Sequence, residues 1–539
     1  MNIHSSKRAW GVSLALLSSA GLAGFAAPAL GQRVVTAELP AEEEAGKVVE
    51  ITVDPVAIGP EPLRWELLPL AHEVERGNAA LHYGQAALSG LGLTSFWESY
   101  AEQIQELNDL PIDELFERVR ASDFGDVSQI TRDALARNDG VKAVRRAARM
   151  SYVDWGLDFS EDPIAVLLPH LGELRGHARL HAHMARWALV QGDFDAAADD
   201  LQTMFAMSTQ LGRSQPTVLI DALVGVAIAT LGQEVLVDWT TRPNAPNLYW
   251  AVTDLPNPII DLREAIRGER SFIFWMFPEL TDPEPDLSDV QWIAALDRFF
   301  LQGSYPWIAA EFGAPNAEVR MTRAMTVTLA YPHAKWWLQE ERGWSAEQAA
   351  AISPLEAVAR TFRGEFLEAR DALMVAMTLP PAEATPWLDG VERNFERLVR
   401  EPGGPGMKFA GVLLPAVTAA NRTMVRSMHR FAQLRTFEAI RHYAALNGGR
   451  PPASLEDIDL PIPINPWTGE PFPYRVEEGV AVLGHGMPGR YGPSEREHIY
   501  RITFRAPAVS AALIRKESGE PSGRFPNEVD LPTSSLSDG

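Results

Sequence analysis

Residues 176–201 read GHARLHAHMARWALVQGDFDAAADDL, and how this stretch is taken decides the fold. Three histidines, His177, His181 and His183, lie within seven residues of a helical pattern. At 100° per residue His177 and His181 share a face, and His183 points elsewhere. Were the helix continuous further back, His170 and Glu173 would fall within about 60° of the same stripe. Histidine with carboxylate on one face is a ligand set suited to a divalent metal. Against a metal, Pro169, Gly172 and Gly176 interrupt the sequence between His170 and His177, so a continuous helix is not expected there.

The second half, QGDFDAAADDL, resembles the turn and second helix of a tetratricopeptide repeat, through Gly192, Phe194, Ala197 and Leu201. Counting back from Gly192, the resemblance places His181, Met184, Ala185 and Ala188 where the first helix packs on the second. It therefore implies a structural histidine stripe and a helical hairpin near 177–210. RGEFLEARDAL (363–373) repeats the pattern once more at Gly364, Glu365, Phe366 and Ala369, which points to irregular hairpins, not a regular array.

Working outward, the pattern from Leu63 to about Leu446 is dominated by apolar residues three or four apart, punctuated by proline and glycine at helix-sized intervals. Ser160 and Pro163 in SEDP suit a helix start. The acidic run DPEPDLSD (282–289), with Asp282, Glu284, Asp286 and Asp289, lacks the loop glycine of an EF-hand and reads as solvated loop. From Pro415 to Asn447 one long helix is expected, stopped by NGG (447–449). Seven prolines follow, then the alternating runs Phe472–Val476 and Val480–Leu483 around Glu478-Gly479, a hairpin signature, and a third strand-like run at 499–504.

The first 31 residues read as an export signal: Lys7 and Arg8, an apolar stretch, then Ala29 and Gly31 before a cleavage point at Gln32. No later run of 18 uninterrupted apolar residues is present, so no membrane span is expected in the mature chain. The absence of cysteine excludes disulfides, thiolate chemistry and zinc–cysteine sites. Forty-eight basic against 71 acidic residues, a net charge of −23, disfavours nucleic acid as a partner. Hydrophobic residues at 46% are ordinary for a globular chain able to build a core without disulfides.

Two wider resemblances complete the reading. The block 219–270, with GNAALHYGQA (77–86) upstream, is similar to a family of exported bacterial proteins of unknown function; the similarity runs over most of 62–505 and implies no activity. YAALNGGRPPASLEDI with PINPWTGEPFPYRVEEG resembles the soluble end of type II secretion pseudopilins over about 60 residues. That implies a long helix, a turn, an Asn-Pro-Trp-x-Gly segment and a hairpin. Pseudopilins carry that helix at their N-terminus; here it lies over 400 residues in, so only the local fold carries over.

The expected organisation is a signal (1–31), a linker with one strand-like run at Val48–Val53 (32–62), a helical domain (63–414), a long helix with a small β module (415–506) and a disordered tail (507–539). The fold class is mainly α, an irregular helical-hairpin array with a C-terminal α+β module. No nucleophile elbow, phosphate loop or HExxH is present. Aromatic clusters at Tyr249/Trp250, Trp336/Trp337 and Phe272/Phe274/Trp275 suit either a core or a groove, with Tyr249-Trp250 first choice for a groove. Trp467 suits a plug under the proline-rich loop or a docking residue. If a metal were bound, His170, Glu173, His177 and His181 would be its ligands, but no metal or cofactor is favoured. The functional expectation is a periplasmic or extracellular, non-enzymatic component that binds a protein partner in the envelope. The alternative is a hydrolase of an envelope polymer using carboxylates or a His-bound metal.

Overall fold

The structure, a computed structural model, describes residues 33–34, 47–89, 138–159, 166, 168–276, 278–282, 287–298, 316–400, 405–487 and 498–505. The expected signal before Gln32, the Ser160 and Pro163 helix start, most of the acidic 282–289 run and the tail from 507 lie outside these residues.

The protein is mainly α with a small sheet. Its helices, in chain order, are α1 (Ala79–Ser89), α2 (Asp139–Ala148), α3 (Pro169–Gln191), α4 (Phe194–Leu211), α5 (Leu219–Thr241), α6 (Tyr249–Thr253) and α7 (Leu262–Met276). They continue as α8 (Asp289–Arg298), α9 (Asn316–Glu340), α10 (Ala346–Ala351), α11 (Pro354–Ala376), α12 (Pro381–Arg400) and α13 (Pro405–Leu446). The strands are β1 (Arg33–Val34), β2 (Lys47–Val53), β3 (Glu75–Asn78), β4 (Met150–Tyr152), β5 (Tyr474–Glu477), β6 (Val480–Leu483) and β7 (His498–Phe504).

The hairpin in the opening stretch is α3 and α4. Gly192 takes φ 73°, the left-handed cap that ends α3. Asp193 then accepts the Ala196 N–H and caps α4. Contrary to the sequence expectation, α3 runs unbroken from Pro169, because the proline occupies a first-turn position where its missing N–H costs nothing. Gly172 and Gly176 stay inside it.

Next comes α5, which is buried nearly all round. It is the one helix among the described residues long and apolar enough to cross a membrane, and 67% of that window is buried inside the molecule. Packing explains its composition: a helix apolar on every side belongs at the centre of a core. Two glycines let α4 approach it closely. A Cβ at Gly232 would lie 2.8 Å from the Phe205 ring, and one at Gly225 would lie 2.8 Å from the Ser208 carbonyl oxygen. One continuous core then joins α3, α4, α5, α11, α13 and the sheet.

The sheet has the order β1-β2-β7-β6-β5. Glu478 (φ 51°) and Gly479 (φ 84°) turn β5 into β6, as the sequence suggested. The N-terminal segment expected to be a linker supplies β1 and β2. Every residue of β2 pairs in parallel with β7, from Lys47↔His498 to Val53↔Phe504. The C-terminal module therefore does not stand on residues 415–506 alone. Its helix also begins earlier, at Pro405. On α13, Gln433 donates to the carbonyls of Gly484 (3.2 Å) and His498 (2.9 Å), and Phe437 packs on Tyr500, which seats the sheet on the helix.

A fully buried ion pair locks this joint. Both carboxylate oxygens of Glu438 accept from Arg441 Nη1, at 2.8 and 2.9 Å. Arg441 also donates to the carbonyls of Asp54 (3.2 Å) and Ala245 (2.9 Å), tying the chain after β2 and the loop after α5 to α13.

Candidate functional site

The continuous α3 does not gather its four metal candidates. His181 is buried, and its Nδ1 lies 2.9 Å from Asp200 Oδ1 on α4. The same carboxylate accepts from Arg145 of α2 at 2.7 Å. His177 is buried one turn earlier, and loss of solvent pushes its pKa down to about 4, so the ring is neutral at ordinary pH. His170 instead stacks on Trp155, with ring centres 4.0 Å apart, and its Nε2 is 3.6 Å from Asp221 of α5. Glu173 is exposed. Among the described residues no group of three or more His, Asp or Glu is placed to hold a metal ion.

The contacts of His170 bring a serine, an aspartate and a histidine together, a set worth testing for nucleophilic chemistry. The hydroxyl of Ser214 donates to Asp221 at 3.0 Å, so the carboxylate sits between serine and histidine. An activated nucleophile needs the histidine in the middle, taking the hydroxyl proton. Ser214 is also buried, out of a substrate's reach. At the first turn of α5, Asp221 places a negative charge where the helix dipole favours it.

Tyr249 and Trp250, on α6, form the inside of a joint. Tyr249 is buried, its hydroxyl donates to the Pro461 carbonyl at 2.5 Å, and the Arg435 guanidinium lies 5.4 Å from its ring centre. Trp250, half-buried, meets it edge-on at 5.0 Å. Asn247 fixes the approach by donating to the carbonyls of Val56 (3.2 Å) and Glu438 (2.9 Å). Trp467 is buried against Val425 and Met487. Its amide donates to Asn465 Oδ1 at 2.9 Å, while the Asn465 side-chain amide holds the carbonyls of His485 and Gly486. Of the two roles open to Trp467, its surroundings are those of a plug. In the other clusters, Trp275 stacks on Phe159, and Trp337 is buried while Trp336 faces out.

The feature that sequence reading passed over is the outer face of α9. Met321 (65% exposed), Met325 (53%), Leu329 (77%) and Trp336 (50%) project from it, with Ala324, Thr328 and Pro332 exposed between them. Lys335, half-buried and seven residues on from Thr328, is the charged side chain on this face. The opposite face is apolar as well: Val327, Ala334, Trp337 and Leu338 pack on Ala357 and Val358 of α11. A helix apolar on two sides shows no clean stripe, which is why the spacing Met321, Met325, Leu329 did not stand out.

No family model, curated protein or solved structure matches this chain.

Proposed function

We propose that this chain is an exported, non-enzymatic binding or assembly component of the cell envelope, engaging a protein partner through α9. The observation that carries the reading is the row of exposed apolar side chains on the outer face of α9, Met321, Met325, Leu329 and Trp336. An exposed apolar patch of this kind marks a contact surface. The polar clusters of the interior support it from the other side. His181, Tyr249 and Trp467 are each engaged by neighbours within the fold. The basic and apolar start of the sequence supports export. The test joins both parts. N-terminal sequencing of native protein from the envelope fraction should begin near Gln32, and a cytoplasmic chain starting at Met1 would defeat the export reading. Leu329→Asp should abolish recovery of whatever co-purifies with the wild-type chain while leaving its helical circular dichroism intact. An unchanged set of co-purifying proteins would defeat the role of α9.

A further inference from the structure

Three histidines meet where α13 carries the sheet. His429 and Gln433 are four apart on α13 and share a face. The His429 Nε2–H donates to the His485 carbonyl at 2.6 Å, one turn from where Gln433 holds the carbonyls of Gly484 and His498. One helix face thus grips the chain after β6 and the start of β7 together. His429 and His485 are buried, and His498, half-buried, is paired across the sheet with Lys47 of β2. His485 Nδ1 accepts the buried Met487 N–H at 2.9 Å, so in the closed joint that nitrogen carries no proton. An imidazolium has no acceptor, so a proton there breaks the bond and strands the amide. We infer that this joint is an acid-opened latch, in which protons on His485 and His498 release the chain after β6, and β7 with it, from α13.

The charges around the joint work in the same direction. Facing His498 are Arg430 and His429 of α13, Lys47 of β2 and His485 after β6, and β7 adds the Tyr500 hydroxyl, 3.3 Å from His498 Nδ1. Burial, and then these neighbours, push the His498 pKa down to about 3. A histidine with a lowered folded pKa holds the closed state above its ordinary 6.5 and loses it as pH falls below that value. At pH 5.0 the gain for the open state is about thirtyfold from His498 alone, and the bond lost at His485 adds to it. One carboxyl opposes them. Glu234 of α5, beside Arg186 and Asp238 and facing Arg430 and Lys47, is raised by burial to about 7, so its protonation favours the closed core. Because α5 is held by the core on nearly every side, the opening is local to the joint. It leaves β2 without its parallel partner.

The experiment is amide hydrogen exchange of the full chain at pH 7.5 and 5.0, corrected for the intrinsic effect of pH on exchange. The expected result is a reversible loss of protection at pH 5.0, about thirtyfold or more, in peptides covering 480–487 and 498–504. Peptides from 219–241 should keep their protection. Asparagine puts a carbonyl oxygen near the place of the ring Nδ1 and does not titrate. The chain with both His485→Asn and His498→Asn should therefore show the same protection at the two pH values. Glu234→Gln removes the opposing carboxyl and should leave the loss in place. In the wild-type chain, equal protection at both pH values would overturn the latch, and so would a loss that runs equally through 219–241. A double variant that keeps the full loss would overturn the assignment to these two rings.

Discussion

Replacing Arg441 by methionine tests the joint where the fold closes. Methionine keeps much of the volume and removes the charge and its donors. Three acceptors lose their partner at once: the Glu438 carboxylate and the carbonyls of Asp54 and Ala245. Both members of the pair are fully buried, so Glu438 is left as an uncompensated charge, at about 3–5 kcal/mol. Each stranded carbonyl adds about 1 kcal/mol. The expected loss is therefore about 5–7 kcal/mol, comparable to the whole stability of many domains. Glu438→Met combined with Arg441→Met removes both charges and should keep the cost of the two carbonyls and of the Leu248 N–H that Glu438 accepts, about 3 kcal/mol. Urea denaturation of the three chains at pH 8 measures both. Burial already raises the Glu438 pKa, against the pull of Arg441, and without Arg441 it rises further. A carboxyl with a raised folded pKa gives stability that is present at low pH and lost as pH rises through that value. The single variant should therefore be closer to wild type at pH 5 than at pH 8. Single and double variants of equal stability at pH 8, or a deficit that does not change with pH, would refute the buried-ion account.

Other expectations follow from the interior. His181→Ala should lose about 2–4 kcal/mol, from the hydrogen bond to Asp200 and the space left behind. Its metal content, by elemental analysis, should equal that of wild type, and stoichiometric metal lost in the variant would revive the ligand reading. Trp467→Ala should cost about 3–5 kcal/mol as a truncated core residue, and an unchanged thermal midpoint would move it from plug to docking residue. The pH profile of stability has two opposed parts. Burial lowers His177 and His183 to about 4 and His498 to about 3, so their contribution holds above the ordinary histidine value and is lost as pH falls from 6.5 toward 4. Burial raises Glu234 to about 7, so its contribution is present below 4.5 and lost as pH rises to 7. The three histidines move further in total, so the urea midpoint should fall between pH 6.5 and 4.5. Glu234→Gln should gain stability relative to wild type at pH 8 and not at pH 4.5; a midpoint flat across this range would count against the buried-histidine part.

Local features were legible because their causes are local. Gly192 and Phe194 announced the α3–α4 turn, and Glu478-Gly479 announced the β5–β6 hairpin. His181 was placed between α3 and α4 by its spacing from Gly192. What could not be read depends on partners distant in sequence. Val48–Val53 looked like a strand within a linker, but nothing near it indicates that its neighbour is His498–Phe504. Nothing in the sequence around Glu438 and Arg441 marks them as buried, since the groups that Arg441 bonds lie in the chain after β2 and the loop after α5. Pro169 was over-read as a helix break, since a proline's effect depends on its place in the helix. On α9 the apolar spacing was masked by apolar residues on both sides, and which side faces α11 is decided by tertiary packing.

The parallel pairing of β2 with β7 has a consequence for how the protein is made. Val48 and Ile499 are neighbours in the sheet but 451 positions apart in the chain. A ribosome adding about 5–20 residues per second leaves on the order of 20–90 seconds between them. Throughout that interval β2 lacks the strand that completes its pairing, and α13, which seats the sheet, is itself among the last segments to emerge. The closing step must therefore follow release of the nearly finished polypeptide. On the export proposed above, that order would let the whole chain cross the membrane before β2 and β7 join.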